Sequence, residues 1–550
     1  MLHHEGSRLR SVTLKVVLFG AALACQPGFG AAEDAVDRMK LPRLTVAEVD
    51  WTAAFAALDA IPELHRSVAT NTQAPQSDVS TVPQPLARLN AVMTSRFPGV
   101  GSSPVPVLLP FDVEVLLRDL AAGSATDDSA RYMSGFRASK FFHPGPSGYD
   151  AAFTLQVADV AEFSDITYAQ PIEVLISGSA LLYELDAQVA VAGLPVPSLE
   201  ADFPGIKRLM HENHLRYTFV RYGAPYVVSV ACFDARVPRY RMPTCRAAER
   251  VVLRLLGALR IAGGTPKAHR TIEPLPLERP AATSPEFSYR SPGKLLSGTD
   301  FRNQGGRADY TVYSQIRFPL ANVPAYANTQ MHARRNPTPN YGYPWRDNFC
   351  ERRGFSVGQC PAGIGHQGQD IRPAQCSPQP CRPHDYLVAV RDGAILRSTR
   401  QEAAYLFVNT PTEHIRFRYL HMSPRQMDAD NLLSGRLVRE GEVIGEISNF
   451  SLRENGTSYH LHFDVQVPTR EGWVFVNPYM TLVAAYERLI AARGMELDDA
   501  TVAALGIPDK TVVAEKPTKR SKLKAAKHSR YAHRGAHKTK HIRKHRVARR

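Results

Sequence analysis

The chain has 550 residues, 44% of them hydrophobic and 22% charged, and a formal net charge of +15. That length admits two or three domains with sizeable cores, and the composition is ordinary for a globular protein. Residues 511–550 hold 15 Lys/Arg against one Glu, or +14, leaving about +1 for the rest, so the basicity belongs to a tail and does not make the folded body a nucleic-acid binder.

Residues 1–31 read as a secretory signal. Arg8, Arg10 and Lys15 form a basic start, and Val16 to Ala24 is an apolar run too short to anchor in a bilayer. Ala22-Leu23-Ala24 and Gly30-Ala31-Ala32 offer small-residue cleavage sites. Cys25 resembles a lipoprotein acceptor only weakly, because Leu is preferred one position earlier, and no lipid anchor is expected. No other apolar run is long enough for a membrane span, so the expected destination is the periplasm or cell envelope. Without Cys25 six cysteines remain, an even number that suggests disulfides in an exported protein. The local pairing is the simplest: Cys232–Cys245, Cys350–Cys360 and Cys376–Cys381. A cysteine-rich zinc site is the competitor, disfavoured because no Cys-x-x-Cys pair occurs.

Residues 32–86 read as a short helix within Val46 to Leu64, followed by a linker rich in Ser, Thr, Gln and Pro. Residues 87–263 predict an α+β domain of open role: it could dock substrate, shield a site or bind a partner. Strands are expected at Val105–Leu109, Ala152–Val157 and Ile172–Ile176, and helices over Phe203–His214 and Arg246–Ile261. Leu215–Tyr222 and Pro225–Cys232, around Gly223-Ala224, read as a hairpin. His211 and His214 would share a helix face, where a solvated helix end is preferred to a metal pair. No catalytic constellation stands out in this domain. Residues 264–298 carry six prolines, Pro266, Pro274, Pro276, Pro280, Pro285 and Pro292, and read as a semi-rigid spacer.

The chemistry lies in residues 299–495. A strand is expected at Thr311–Phe318. Arg334, Arg335, Tyr341, Tyr343 and Trp345 could line a groove, although loop packing is the preferred reading. Gly363-Ile364-Gly365-His366-Gln367-Gly368-Gln369-Asp370-Ile371 has too many glycines for a helix, and as an extended segment it puts His366 and Asp370 on one face. In Tyr459-His460-Leu461-His462-Phe463-Asp464-Val465 the period of two sends His460, His462 and Asp464 to one face and the apolar residues to the other. Imidazoles about 7 Å apart on a packed strand suit a metal site; a pair of surface histidines is the plainer alternative. Catalytic zinc takes three protein ligands and keeps a fourth position for water. His366, Asp370 and His462 are therefore the candidate metal ligands for one zinc ion, with His460 beside the open position. His384 and His414 lack partners at ligand spacing and read as surface or packing residues.

A third piece, Ile415-Arg416-Phe417-Arg418-Tyr419-Leu420-His421-Met422, ends in a histidine at a strand edge. His-x-x-x-Asp, Tyr-x-His and His-x-His before Phe and an acid, in this order, resemble the lysostaphin-type (LytM-like) zinc metallopeptidases over roughly residues 299–485. Val388–Ile395 and Val438–Ile447 look like that family's Gly-turn hairpins. The resemblance implies a mainly antiparallel β catalytic domain and zinc-dependent hydrolysis of the peptide cross-links of peptidoglycan. It also implies catalytic roles for His421 and His460, which would orient or deprotonate water and steady the tetrahedral intermediate. Asp464 stands where the family usually has Glu, and reads as a residue behind the ligands or on the surface. An insertion from Pro373 to Pro383 could reshape the substrate groove.

Val483–Ala492 is expected to close the domain as an amphipathic helix. The fold class is thus α+β multidomain, ending in a tail, residues 510–550, that cannot bury enough apolar surface to order itself. Its charge favours an anionic envelope polymer or lipid over nucleic acid. Two further functions compete with the peptidase: a non-catalytic LytM-like module that binds or activates a wall hydrolase, and a polyanion binder driven by the tail.

Overall fold

The computed structural model describes residues 38–65, 82–185, 193–211, 214–233, 242–267, 272, 275–281, 287–292, 308–321, 326–327, 348–351, 353–373, 386–397, 402–497 and 500. The signal segment, most of the Ser/Thr-rich linker, the Arg334–Trp345 group, Cys376, Cys381, His384 and the basic tail lie outside the described residues.

The first half begins with β1 (Arg43–Val46), α1 (Trp51–Asp59), α2 (Pro62–His65) and α3 (Gln84–Thr94). The helix expected within Val46–Leu64 is two helices. Asp50 caps the first by accepting from the Ala53 amide at 2.9 Å, and Pro62, which has no N–H to continue it, opens the second. Next come β2 (Val107–Leu109), α4 (Val113–Ala121), β3 (Phe136–Gly145), β4 (Gly148–Leu155), β5 (Ile172–Ser179), β6 (Leu181–Glu184), β7 (Leu194–Pro195), β8 (Lys207–His211), β9 (His214–Arg221), β10 (Ala224–Ala231), α5 (Cys245–Ala258) and β11 (Arg260–Gly263). Seven of these strands form one antiparallel sheet in the order β3-β4-β5-β10-β9-β8-β7. The expected hairpin is present as β9–β10, turning on Tyr222-Gly223, both with left-handed φ. The helix expected over Phe203–His214 is instead strand β8, because its backbone pairs along β9 from Lys207↔Thr218 to His211↔His214, and that pairing overrides local preference. His211 and His214 are therefore backbone partners in the β8–β9 ladder rather than neighbours on a helix.

The second half adds β12 (Phe287–Arg290), β13 (Tyr326–Ala327), β14 (Gln369–Pro373), β15 (Tyr386–Val388), β16 (Gly393–Leu396), β17 (Ala403–Asn409), β18 (His414–Leu420), α6 (Pro424–Ala429), β19 (Leu437–Val438), β20 (Val443–Glu446), β21 (Leu461–Thr469), β22 (Gly472–Val476), α7 (Tyr479–Ile490) and β23 (Gly494–Leu497). Its main sheet runs β13-β14-β21-β18-β17-β16-β19, with β22 paired to β21. This mostly antiparallel β arrangement is compatible with the LytM-like expectation.

Three local expectations differ. The two Gly-turn segments do not fold back on themselves; they pair with each other, β15 with β20 and β16 with β19. The turn between β19 and β20, with Gly441 at φ +82°, carries the chain from one sheet to the other. Thr311–Phe318 is extended but forms only an isolated bridge, Lys40↔Thr311; it lies along α7, where the Tyr313 amide donates to Thr481 Oγ1 at 3.0 Å. Helix α7 is buried from Tyr479 through Glu487 rather than amphipathic. Its Glu487, 0% exposed, accepts both arms of Arg279 at 2.6 and 2.7 Å, so a residue of the Pro-rich stretch is docked here.

The two main sheets each have an apolar outer face with its own core. On β4, β5 and β9, Tyr149, Phe153, Val174, Ile176, Leu215 and Tyr217 join the first core. On β18 and β21, Ile415, Phe417, Tyr419, Leu461, Phe463 and Val465 join the second. Each such side chain contributes about 1.5–3 kcal/mol by leaving water. The inner faces are polar, yet buried. Asp150, Ser177 and Arg216 of the first sheet meet His414, Arg416, Arg418, Asp464 and Gln466 of the second, and all are at most 5% exposed. The contacts are specific: His414 bonds Ser179 Oγ at 2.8 Å and Asp150 at 3.0 Å, and Arg216 donates to Gln466 Oε1 at 2.8 Å. His414, read from sequence as a surface or packing residue, is thus wholly interior.

Candidate metal centre

The polar face of β21 ends in the site. Antiparallel pairing sets Asp370 of β14 directly opposite His462 of β21, so the register, not a loop, fixes their approach. His366 enters from the turn before β14. It is held by the loop that the Cys350–Cys360 disulfide closes: the Cys350 amide donates to the His366 carbonyl and the His366 amide to that of Glu351, both at 2.8 Å. Gly368 must be glycine for this loop to lie on β21, since a Cβ there would overlap the Phe463 carbonyl oxygen. Two of the local cysteine pairs, Cys350–Cys360 and Cys232–Cys245, are disulfides.

One donor atom each from His366, Asp370 and His462 lies within 4.8 Å of the other two, and all three residues are buried. His366 Nε2 is 2.9 Å from His462 Nδ1, and Asp370 Oδ1 is 3.0 Å from the same nitrogen and 3.4 Å from His366 Nε2. The outer ring nitrogens decide which atoms point inward. His366 Nδ1–H donates to the Asn348 carbonyl at 3.0 Å, leaving the Nε2 lone pair at the centre. His462 Nε2 lies 3.4 Å from Asp464 Oδ2, an electrostatic contact just outside hydrogen-bond geometry. Two ring lone pairs and a carboxylate this close repel unless a proton or a cation sits among them. The donor set, two imidazoles and one carboxylate, with the far nitrogen of His366 on the Asn348 carbonyl and that of His462 beside Asp464, suits zinc.

Electrostatics agree. Burial alone would raise the Asp370 carboxyl, but the facing His460 and His366 hold it well below the usual carboxylate range. Burial would lower His462; its hydrogen bond to Asp370 and the nearby Asp464 carboxylate outweigh that and push it up to about 9. Asp464 would be raised by burial, but Arg418 and His462 bring it down to about 2. Asp464 is 0% exposed and ion-paired to Arg418, so of the two places the sequence allowed, it occupies the one behind the ligand.

The two candidate catalytic histidines stand beside this triad. The ring centroids of His421 and His460 are 4.6 Å apart, and His460 Nε2 is 3.5 Å from Asp370 Oδ2. His460 Nδ1 donates to the Ser458 carbonyl at 2.7 Å and His421 Nδ1 to that of Phe450 at 2.9 Å. Both rings therefore carry their proton on Nδ1 and direct Nε2 elsewhere. Burial, reinforced by His460 and His462, keeps His421 well below its ordinary pKa. Its backbone is left-handed, φ 71°, a strained choice for a non-glycine residue of the kind that gathers at functional sites. Sequence reasoning missed Asn348, which orients His366, and Arg418, which anchors Asp464. Asn348 sits in a loop without periodicity and had no signal; Arg418, on the same strand face as Arg416, had one.

No family model matches the chain, and no curated protein matches it. Among solved structures, it matches the crystal structure of a candidate glycyl-glycine endopeptidase lytM from Ruminococcus gnavus, with 19% identity and a TM-score of 0.20, over 33% of this chain. The match spans 63% of that protein's length.

Proposed function

We propose that the protein is an exported zinc metalloendopeptidase that hydrolyses peptide cross-links of peptidoglycan. The observation that carries this reading is the convergence of His366, Asp370 and His462, with donor atoms within 4.8 Å of one another, beside two further histidines whose Nδ1 atoms are fixed by backbone carbonyls. Zinc held there would lower the pKa of water to about 7 and polarise a peptide carbonyl. His421, kept neutral by its buried setting, accepts a proton at Nε2 and returns it to the leaving amine. His460, next to Asp370, steadies negative charge developing on the carbonyl oxygen once protonated. The basic tail would hold the enzyme near an anionic envelope polymer or lipid.

Mass spectrometry of peptidoglycan fragments, with and without a zinc chelator, tests the reading. Release of cross-link cleavage products that stops on chelation supports it. A purified protein that binds no metal and releases no fragments is a non-catalytic wall module instead. Within the peptidase reading, His421→Gln is expected to lower kcat by about 10²–10⁴-fold, the usual weight of a general base, with little change in KM or zinc content. Loss of zinc in that variant would make His421 a ligand instead.

A further inference from the structure

Between the two sheets lies a cavity of about 500 Å3, a size that suits a small organic ligand. Glu173 of β5, His214 and Arg216 of β9 and Arg416 of β18 line it, and Arg397, just after β16, completes the wall. Lys140 and Leu433, both exposed, mark its mouth. None of these residues is a candidate metal ligand.

Arg416 is the residue that needs explaining. It is 2% exposed, and among the described residues no carboxylate lies within ion-pair distance of it. Its Nη2 donates to Ser177 Oγ at 3.1 Å, its Nε has no acceptor, and the Trp473 ring lies 3.7 Å from its Cζ. The two buried acids nearby are committed elsewhere: Asp150 to His414 at 3.0 Å and to Ser177, Asp464 to Arg418. A guanidinium out of water without an anion is costly, and an anion entering the cavity removes that cost. On the far wall Glu173 is half-buried by area but enclosed by protein, and burial pushes its carboxyl up to about 7. Arg397 is already paired, to Asp428 at 2.7 Å.

We propose that this cavity is a binding site for a small molecule bearing one oxyanion group, a carboxylate or a phosphate, that pairs with Arg416. The planar guanidinium edge suits either group, and Glu173 faces the rest of the molecule.

Titration calorimetry of the full chain with inorganic phosphate, and separately with acetate, distinguishes the two sources of the anion. The Trp473 ring against Arg416 supplies a fluorescence signal for the same event. Saturable binding of at least one probe is expected, weakened roughly tenfold or more by Arg416→Met. Leu433→Trp, at the mouth, is expected to weaken it as well; if Arg416→Met fails to fold, this variant decides. Anion bound only at the metal centre would ignore Leu433→Trp, so unchanged binding there overturns the proposal. So does the absence of saturable binding with both probes.

Discussion

His462→Ala is expected to fold, to bind no stoichiometric zinc and to release no cross-linked muropeptides. The side chain is the meeting point of the site: its Nδ1 is 2.9 Å from His366 Nε2 and 3.0 Å from Asp370 Oδ1. Loss of a partner one shell out costs roughly 10–100-fold in metal affinity, and loss of a ligand exceeds that. The same residue sets a pH dependence. In the metal-free protein His462 is raised to about 9, so it carries a proton at neutral pH that zinc must displace. Apparent zinc affinity should therefore climb by about tenfold per pH unit from neutrality up to about pH 9 and then level off, with one proton released per ion. Zinc competition titrations across that range measure the slope. A flat profile, or muropeptide release undiminished in His462→Ala, would reject the centre.

The largest effect on stability is expected from Arg418→Met. Arg418 and Asp464 are ion-paired with side chains 4% and 0% exposed, so the change strands a carboxylate in the interior. Breaking such a pair from one side costs about 3–5 kcal/mol. The double variant Arg418→Met with Asp464→Asn should recover part of that loss, because the stranded charge goes with it. Acid should act in the same direction. Asp464 lies at about 2 in the folded protein against an ordinary 3.8, so its contribution is present above about pH 4 and is lost as pH falls towards 2. Denaturant unfolding of the wild type and both variants checks this; a loss below about 1 kcal/mol in Arg418→Met would show that water reaches the pair.

The convergence of His366, Asp370 and His462 was legible because its information is local. His-x-His on an alternating strand declares a face, and Leu461, Phe463 and Val465 declare the opposite one. Asp370 opposite His462 then follows from strand pairing, and the order of the motifs along the chain had already suggested that the two segments meet. What stayed hidden depends on partners distant in sequence. Lys207–His211 has helix-like spacing and becomes a strand only because β9 is beside it. The two glycine-turn segments carry correct turn residues, but nothing local says that they exchange partners. His414 has no metal-ligand spacing, and its partner Asp150 is 264 residues away. The family resemblance also stopped near residue 299, so it said nothing about the first sheet or about what that sheet covers.

The buried polar seam between the sheets has a consequence for how the protein can be subdivided. Strands β18 and β21 are dressed on both sides, one in oil and one in charge, and the charged side is covered partly by β4, β5 and β9 and partly by Trp473 and Phe475 of β22. The second half cut loose would wet His414, Arg416 and Gln466, whose partners Asp150, Ser177 and Arg216 belong to the first half. The first half is then no detachable accessory: it supplies the partners that keep part of the second half's charged face satisfied and out of water.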